Sequence, residues 1–461
     1  MAPIRVGLIG LSTPHGNANF GIWAASTHLP ALQKSPDYKV VALANSTIES
    51  AERSIAFHNL PSSTKAYGSA EDLANDTDID LVVVCVRVQR HLELVKPALL
   101  NRKNVFVEWP LAANLDEVEY LTKLGKESGV QAVVGLQSRA APITLKLKNI
   151  VASGQIGRIL SSNVLASSSQ LGMDTWPQDG LYYLDMNSGG NEFYIIFGHL
   201  LDSFITVLGD FSEVQTILKS HYETVPIVDS DGQVVDSSYR KTSPDHILVQ
   251  GITELGAVAS LSVRKPPATA DGVGIRWVIS GTLGEIIVTG PGLWHVMDKE
   301  AHIQVKIGNK PVQDIDFQSY RVPLANEVAP FGANVASLYD AIAKGDNTRV
   351  LSEFPTAPDT YFTVYSVMGI PEGDMGEIVM CLALQNGLDL IGADAAAVIY
   401  EVNMVLKGCK TYQRPARGAS RRNWWDDSDS TLFSHRLSRQ EKAFFEYWRS
   451  YPTRTLARSS I

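Results

Sequence analysis

The chain has 461 residues, of which 45% are hydrophobic and 19% charged, and its formal net charge is −9. This length and apolar content allow two or three domains with large cores. Because nucleic-acid binding depends on clustered Lys and Arg, the acidic balance excludes an electrostatic surface for direct nucleic-acid binding. We also expect no membrane span, since no stretch reaches the roughly 18 uncharged apolar residues that a span needs.

Two further features indicate an intracellular protein. A strand-like run begins at Ile4, which leaves no room for a signal peptide. The three cysteines, Cys85, Cys381 and Cys409, lie far apart and form neither a disulfide framework nor a zinc pattern. We therefore expect a soluble intracellular protein with reduced thiols.

The first third of the chain alternates between strand-like and helical segments. A β-branched run ends at Gly10, and later strands are predicted at 38–44, 80–86, 105–107 and 131–136, with helical segments at 28–32, 92–101 and 116–128. This alternation is typical of a parallel sheet covered by helices on both faces. The sequence therefore predicts an α/β domain of the Rossmann type over residues 1–150.

The loop after the first strand keeps only part of a dinucleotide fingerprint. Gly10 stands where the pattern places its first glycine, and Ser12 follows in the loop, but the later glycines do not match. Two interpretations remain open: Gly10 and Ser12 bind the cofactor, or Gly10 serves only a tight strand-to-helix turn.

The residues after the second strand bear on the choice of cofactor. Asn45 and Ser46 occupy the place where an acidic residue usually holds the ribose hydroxyls. Small polar groups there leave space for a 2′-phosphate, although no Arg stands immediately beside them. NAD and NADP are both compatible with this pattern, and NADP is at least as well supported.

The middle of the chain predicts a second domain over residues 151–355. A strand is expected at 159–165, and Gly- or Pro-bounded alternating runs at 246–253, 257–263, 277–280 and 285–288 indicate antiparallel strands. His246 is expected at a strand start, in a structural role. Because an open antiparallel sheet leaves one apolar face to water, we expect a homodimer.

The last segment, 356–461, is expected to be an atypical, partly disordered tail. It is rich in scattered Arg, Ser and Asp, a composition that usually indicates a solvated segment. Two alternatives are a partner-binding segment that folds on contact and an altered terminus.

Several blocks in a fixed order resemble the glucose-fructose oxidoreductase, inositol dehydrogenase and MocA family over about residues 4–345. These blocks are 6–10, 28–32, His91, 106–112, 137–139, 154–157 and 198–202. The resemblance implies a Rossmann domain followed by an α+β domain with an open, mainly antiparallel sheet. It also implies that the cofactor site includes His91, Glu108, Trp109, Pro110, Gln137 and Arg139.

The tripeptide Glu108-Trp109-Pro110 departs from this family at its middle residue, which is normally lysine beside the nicotinamide. A lysine ammonium can stabilise a developing alkoxide or take part in proton transfer. Indole has one N–H donor and no charge, so it can do neither. Trp109 either packs beside the cofactor pocket or stacks on a ring.

A second departure precedes His199. The family usually has Asp four residues before this His, and here the position is Ile195. Asp202 lies three residues after His199 on the same helical face, which predicts an oriented pair in which the carboxylate fixes the imidazole tautomer. If the protein is an enzyme, His199 and Asp202 are its expected catalytic residues; otherwise His199 is a buried structural residue.

The loop over 167–190 carries Trp176, Tyr182 and Tyr183. In the family this region covers the substrate pocket, and with His199 these aromatic side chains would suit a sugar-like ring. The alternative is a surface loop that its aromatic residues hold in place.

Within the family, the chain resembles the subgroup of the fungal galactose-regulon repressor, a dinucleotide-binding pseudo-dehydrogenase that masks a transcription activator. The resemblance is carried by 108–109, 197–202, 244–246, 250–251 and 281–285, whereas Pro110 agrees with the enzymes. The favoured hypothesis is a non-catalytic, cofactor-sensing regulator of an activator or other protein partner, in the cytoplasm or also in the nucleus. The alternatives are an NAD(P)-dependent oxidoreductase acting on a CH–OH group of a sugar-like or secondary-metabolite substrate, with His199 as acid or base, and a structural partner protein without cofactor.

Overall fold

The computed structural model describes residues 2–13, 21–168, 172–292, 300–346 and 412–413. The chain divides into two compact units, Met1–Gly373 and Asp374–Ile461. In the second unit the described residues are the short strand Tyr412–Gln413. The tail predicted for 356–461 otherwise lies outside the described residues.

The first sheet is parallel and confirms the predicted Rossmann fold. Its strands are β1 Ile4–Ile9, β2 Tyr38–Ala44, β3 Lys65–Tyr67, β4 Leu81–Val84, β5 Asn104–Glu108 and β6 Ala132–Gly135. The order is β3-β2-β1-β4-β5-β6, and neighbouring strands run parallel. The chain changes direction across the sheet between β1 and β4, which is where ligands bind in doubly wound folds.

Helices connect the strands of this sheet, and several of them begin at side-chain caps. They are α1 Leu29–Lys34, α2 Ile48–Phe57, α3 Ala70–Asn75, α4 His91–Leu100, α5 Leu115–Ser128 and α6 Pro142–Ala152. The side chains of Thr47, Ser69 and Asn114 accept hydrogen bonds from the first turns of α2, α3 and α5. A π-helical turn, Ala24–His28, leads directly into α1.

The second sheet is mainly antiparallel, as predicted. The following strands are β7 Ile159–Ser167, β8 Trp176–Pro177, β9 Phe211–Lys219, β10 Thr224–Val228, β11 Val234–Arg240, β12 His246–Thr253, β13 Val258–Arg264, β14 Ile275–Gly281, β15 Gly284–Gly290, β16 His302–Ile307 and β17 Gln313–Asp314. In the first unit the large sheet has the order β17-β16-β15-β14-β7-β13-β12-β9, with β7 parallel to β13. Strands β11, β10 and β8 form a smaller sheet. His246 begins β12, as expected.

Short helical segments connect these elements. The 3-10 segments are Val88–Arg90, Gln137–Ala140, Gln178–Leu184, Met186–Ser188, Gln318–Tyr320, Pro323–Asn326 and Pro330–Gly332. A second π-helical turn, Phe193–Phe197, leads into α7 Gly198–Leu208, and α8 spans Ala333–Lys344. No described helix is long and apolar enough to cross a bilayer.

Helix α8 packs in the core of the first sheet. Its side chains Val335, Leu338 and Tyr339 are fully buried in one cluster with Leu8 and Phe106. The apolar side chains of α8 recur at helical spacing and are covered in this cluster. The predicted second domain, 151–355, includes this helix, and its boundaries stay a prediction.

The second sheet has one buried and one exposed face. Val164 and Trp277 point to the buried face, whereas Leu165 is 44% exposed and Val258 62% exposed on the other. Ile217 of β9, at 62% exposure, pairs with Leu248 on the same side as Leu165. This face carries the apolar surface on which the homodimer prediction depends.

Candidate functional site

The site lies at the carboxyl edge of the first sheet, where Gly10 follows β1. Gly10 has φ +98°, and a Cβ there would lie 2.4 Å from the carbonyl oxygen of Cys85 and 2.5 Å from a methyl group of Val86. Only glycine therefore fits this close approach between the ends of β1 and β4. The remaining fingerprint positions, 14–20, lie outside the described residues.

Side chains from β2 and α2 fix the loop after Gly10. The carbonyl oxygen of Leu11 accepts hydrogen bonds from Asn45 Nδ2 (3.0 Å) and Ser54 Oγ (2.8 Å). Ser12 Oγ donates to the carbonyl of Gly21 at 2.7 Å, and a ring nitrogen of His58 lies 2.9 Å from the carbonyl oxygen of Ser12. The amide N–H groups of Asn45 thus hold the loop.

The other predicted ribose contact, Ser46, is exposed at the end of β2. A ribose contact by Asn45 or Ser46 stays a prediction.

Gln137 offers a polar group to a ligand at the same sheet edge. It follows β6, its side chain is 2% exposed, and its Oε1 has no hydrogen-bond partner among the described residues. A buried polar atom without a partner is costly, so a ligand that donates to it would be stabilised. Gln137 and the cradle at Gly10 therefore fit a bound dinucleotide.

Glu108 is tied into the protein core. Its Oε1 lies 2.8 Å from His28 Nε2, and His28 Nδ1 lies 2.7 Å from the hydroxyl of Tyr339 on α8. A Cβ at Gly135 would lie 2.7 Å from the same carboxylate oxygen, so glycine makes room for Glu108. Burial, with the nearby Tyr38 and Glu108, raises the pKa of Tyr339 well above its usual value. The sequence pattern alone did not indicate His28 and Tyr339 as partners of Glu108.

His91 connects the two turns that border the site. Its ring nitrogens lie 2.8 Å from the carbonyl oxygen of Pro110 and 3.0 Å from that of Val86. Burial lowers the pKa of His91, although hydrogen bonds to these carbonyls and to Leu111 oppose the shift. The buried His91 ring thus lies between the end of β4 and the residues that follow β5.

Trp109 is buried, and its indole N–H donates a hydrogen bond to a backbone carbonyl. Only 4% of the residue is exposed, and Nε1 donates to the carbonyl oxygen of Tyr194 at 2.7 Å. The indole lies directly against Gly198, where a Cβ would be 2.9 Å from Nε1. The peptide bond between Trp109 and Pro110 is cis. Trp109 thus has the surroundings of a packing residue, one of the two predicted roles.

The π-helical turn explains why the carbonyl of Tyr194 can accept from Trp109. The N–H of Gly198 donates to the carbonyls of Phe193 and Ile195, five and three residues back, and not to that of Tyr194. Such turns occur often at functional sites. The turn and the glycine together create the place that the indole occupies.

His199 and Asp202 lie on α7 beside Trp109. His199 is 3% exposed, and its ring centre lies 6.4 Å from that of Trp109. Asp202 is fully buried and accepts hydrogen bonds from Arg139 Nε (2.9 Å) and Nη2 (2.6 Å). Arg139, predicted to bind cofactor, therefore anchors Asp202, and the orientation of His199 by Asp202 stays a prediction.

The three aromatic residues of the predicted pocket loop have different surroundings. Trp176 and Tyr183 stack at 5.2 Å in a buried cluster with Leu184 and Val225. Tyr183 also donates to Glu192, which accepts from Lys265 at 2.7 Å. These contacts would hold the loop in place, and the substrate-pocket role of the two residues stays a prediction. Tyr182, in contrast, lines a cavity.

Comparison with known proteins matches two consecutive segments of the chain to family models. The family model of oxidoreductases with an NAD-binding Rossmann fold matches residues 4–136, and the model of the Gal80p C-terminal domain matches 142–290. The dehydrogenase aclE of Aspergillus oryzae is 35% identical over 63% of this chain and 78% of its own length. The galactose/lactose metabolism regulatory proteins GAL80 of Kluyveromyces lactis and Saccharomyces cerevisiae are each 32% identical over 56% and 54% of this chain. These matches span only 56% and 58% of the two regulators.

Solved structures of Gal80p and of a dehydrogenase are similar in fold to this chain. A super-repressor mutant of Gal80p from Saccharomyces cerevisiae has a TM-score of 0.69 and 26% identity, covering 80% of this chain and 95% of its own. The transcriptional regulator Gal80p from Kluyveromyces lactis has a TM-score of 0.66 and 25% identity, covering 79% and 89%. Levoglucosan dehydrogenase, at 17% identity and a TM-score of 0.62 over 80% and 96%, shares the fold.

Proposed function

The chain belongs to the oxidoreductase family with an NAD-binding Rossmann fold and has a Gal80p-like C-terminal domain, and on this premise we propose that it is a dinucleotide-binding regulator that acts through protein contacts. In this proposal the dinucleotide is a sensed ligand and hydride transfer does not take place. The family's enzymes use this fold for redox chemistry, so the proposal depends on what has replaced the reactive groups.

The locked indole of Trp109 carries the proposal. At the position where the family pattern has lysine, the side chain has no charge, and its single N–H donates to Tyr194. The ring contacts Gly198 closely enough to exclude even a methyl group. Residue 109 can therefore neither transfer a proton nor stabilise an alkoxide.

Ile195 supports the same conclusion. It stands where the family pattern has Asp, and its side chain packs against the buried cluster that contains Trp176 and Tyr183. Ile195 is partly buried, so a carboxylate in its place would lie against this apolar cluster and be partly desolvated, which is unfavourable. Packing has thus replaced both reactive groups beside His199.

The residues for dinucleotide binding are retained. Gly10 provides the close backbone approach, and Gln137 provides the buried oxygen without a described partner. With Ser12 and Ser46 on the neighbouring loops, these residues would hold NAD or NADP. The proposed protein partner rests on similarity to the GAL80 regulators over 56% and 54% of this chain, and on the match of residues 142–290 to the Gal80p C-terminal domain.

Calorimetric titration of the full chain with NAD, NADH, NADP and NADPH tests dinucleotide binding. We expect one of the four to bind, and Gly10→Ala to abolish binding because its Cβ would overlap the carbonyl of Cys85. Gly154→Ala is the matched control: Gly154 also has a positive φ, +71°, but a Cβ there meets nothing within 4 Å. Absence of binding by all four, or equal loss in both variants, would refute this part.

Turnover and partner capture test the regulatory part. We expect no oxidation or reduction of the bound dinucleotide with a panel of alcohols and carbonyl compounds, and capture of an activator protein that depends on the dinucleotide. Turnover that His199→Ala lowers by about 100-fold, the scale of general acid–base catalysis, would replace the regulator with an enzyme.

That second candidate, an NAD(P)-dependent dehydrogenase, is favoured by the 35% identity to aclE. His199 would act as its acid or base beside Trp109. In this case His199→Ala should lower turnover while the dinucleotide affinity stays unchanged.

A further inference from the structure

Two histidines meet where β9 ends and β12 begins. His246 is the first residue of β12 and pairs with Lys219, the last residue of β9, and His221 follows two residues after Lys219. The ring centres of the two histidines lie 4.7 Å apart, with the ring planes at 84°. The pairing of two neighbouring strands in the large sheet therefore brings these imidazoles together. The proposed dinucleotide site uses neither of them.

Asp245 holds the ring of His246 in one orientation. Its carboxylate is 1% exposed, and Oδ1 lies 2.7 Å from His246 Nδ1. The other oxygen, Oδ2, accepts from the N–H of Tyr222 (3.0 Å) and from the ammonium of Lys241 (3.1 Å). A carboxylate surrounded by donors acts as an acceptor, so Nδ1 of His246 carries the hydrogen of their bond. In the neutral imidazole the free lone pair is then on Nε2.

Both rings are available to a ligand at the protein surface. The side chain of His246 is 37% exposed, and His221 is exposed as well. Within the part of the chain that the structure describes, neither Nε2 of His246 nor either ring nitrogen of His221 has a hydrogen-bond partner. The backbone N–H of His221 donates to both oxygens of Asp245, at 3.0 and 3.1 Å. The residue is thus anchored, while its ring is free to turn a nitrogen towards a shared ion.

The spacing of the two rings suits one metal ion. With metal–nitrogen bonds of about 2.0–2.1 Å, two imidazoles on the same ion have ring centres roughly 4.5–5.2 Å apart. The observed distance of 4.7 Å lies within this range. Among the described residues, no group of three or more His, Cys, Asp or Glu side chains is placed to hold a metal. Water would therefore complete the coordination at a two-histidine site.

We propose that His221 and His246 bind a divalent transition-metal ion, with Asp245 as the positioning residue behind His246. A carboxylate that accepts from the non-ligating nitrogen commonly orients a metal-binding histidine. Imidazole ligands favour Cu²⁺, Ni²⁺ and Zn²⁺, whereas Mg²⁺ prefers oxygen ligands. The bound ion would join the two ends of the segment that contains β10 and β11. Because the ion binds the folded chain, it would stabilise that chain more as its concentration rises.

Calorimetric titration of the full chain, purified without a histidine tag, tests the inference. We expect Ni²⁺ and Zn²⁺ to bind and Mg²⁺ not to bind. His221→Gln and His246→Gln should each weaken Zn²⁺ binding by at least about tenfold, since loss of even a partner of a metal ligand has that effect. His302→Gln is the matched control, because His302 is an exposed histidine on β16, and it should leave the affinity unchanged.

Electron paramagnetic resonance with one equivalent of Cu²⁺ gives a second measurement that does not depend on the variants folding. The unsubstituted chain should show coupling of the copper to two imidazole nitrogens. Absence of Ni²⁺ and Zn²⁺ binding, equal loss of affinity in His302→Gln, or a copper spectrum without two imidazole nitrogens would overturn the inference. Dinucleotide titration of His221→Gln should match the unsubstituted protein, so failure here is distinguishable from failure of the proposed regulator.

Discussion

The contact between Gly198 and Trp109 allows a test of how firmly the indole is fixed. We consider Gly198→Ala, which adds one methyl group to a residue that already has helical dihedral angles, φ −58° and ψ −43°. The added Cβ would lie 2.9 Å from Nε1 and 3.0 Å from Cζ2 of Trp109. The substitution thus changes the helix very little and acts mainly on the indole.

Two opposing terms determine the size of the effect. Alanine is favoured over glycine within a helix by about 1 kcal/mol. Against this, an overpacked contact costs about 1–3 kcal/mol. If the indole moves away instead, loss of its 2.7 Å bond to Tyr194 costs about 1–3 kcal/mol. We expect Gly198→Ala to lower the free energy of unfolding by up to about 2 kcal/mol.

A double-mutant cycle isolates the contact. With Trp109→Leu in the background, Gly198→Ala should become neutral or stabilising by up to about 1 kcal/mol, so the coupling energy should be about 1–3 kcal/mol. Urea unfolding followed by circular dichroism measures all four proteins. If Gly198→Ala stabilises both backgrounds equally, the indole is not locked and the main support for a non-catalytic site is lost.

Three further predictions concern the framework around the site. Arg139→Met removes two hydrogen bonds from the buried carboxylate of Asp202, and urea unfolding should show a loss of about 3–5 kcal/mol. Burial would raise the pKa of Asp245, but hydrogen bonds from His221, His246 and Tyr222 lower it below its usual value. The stabilising contribution of the Asp245 carboxylate is therefore complete above about pH 4 and is lost progressively as the pH falls below that. Asp245→Asn should thus flatten the acid side of the curve of stability against pH. Ile217→Asp places a charge on the exposed sheet face and should convert a dimer to a monomer in light scattering, whereas an unchanged mass would rule out this face.

Local patterns were sufficient to predict many strands and helices of both domains, although β3, β9, β16 and helices α2, α3 and α6 were not predicted. The bounds of β2 and β12 agree with the prediction because β-branched runs there end at turn residues. Helix α5 agrees within one residue, since Asn114 caps its start and Gly129 ends it. These signals lie within a few residues of the element they define.

The partners of the site residues could not be predicted in this way. Asp202 lies near His199 in sequence, yet its guanidinium partner is 63 residues away. The link from Glu108 through His28 to Tyr339 spans much of the first unit, and helix periodicity alone does not say which core α8 joins. Arg87 stands four residues before His91 in the sequence, but its contact with the ring of Tyr182 arises only from the fold.

The two departures from the enzyme pattern form one structural change. Trp109 donates to a carbonyl of the π-helical turn, and Ile195 lies within that same turn with its side chain packed against an apolar cluster. Restoring lysine at 109 alone would place an ammonium in a space shaped for indole, and restoring Asp at 195 alone would place a partly desolvated carboxylate against that cluster. Neither single reversal should therefore create hydride-transfer activity, because the packing around each residue has been built for the other.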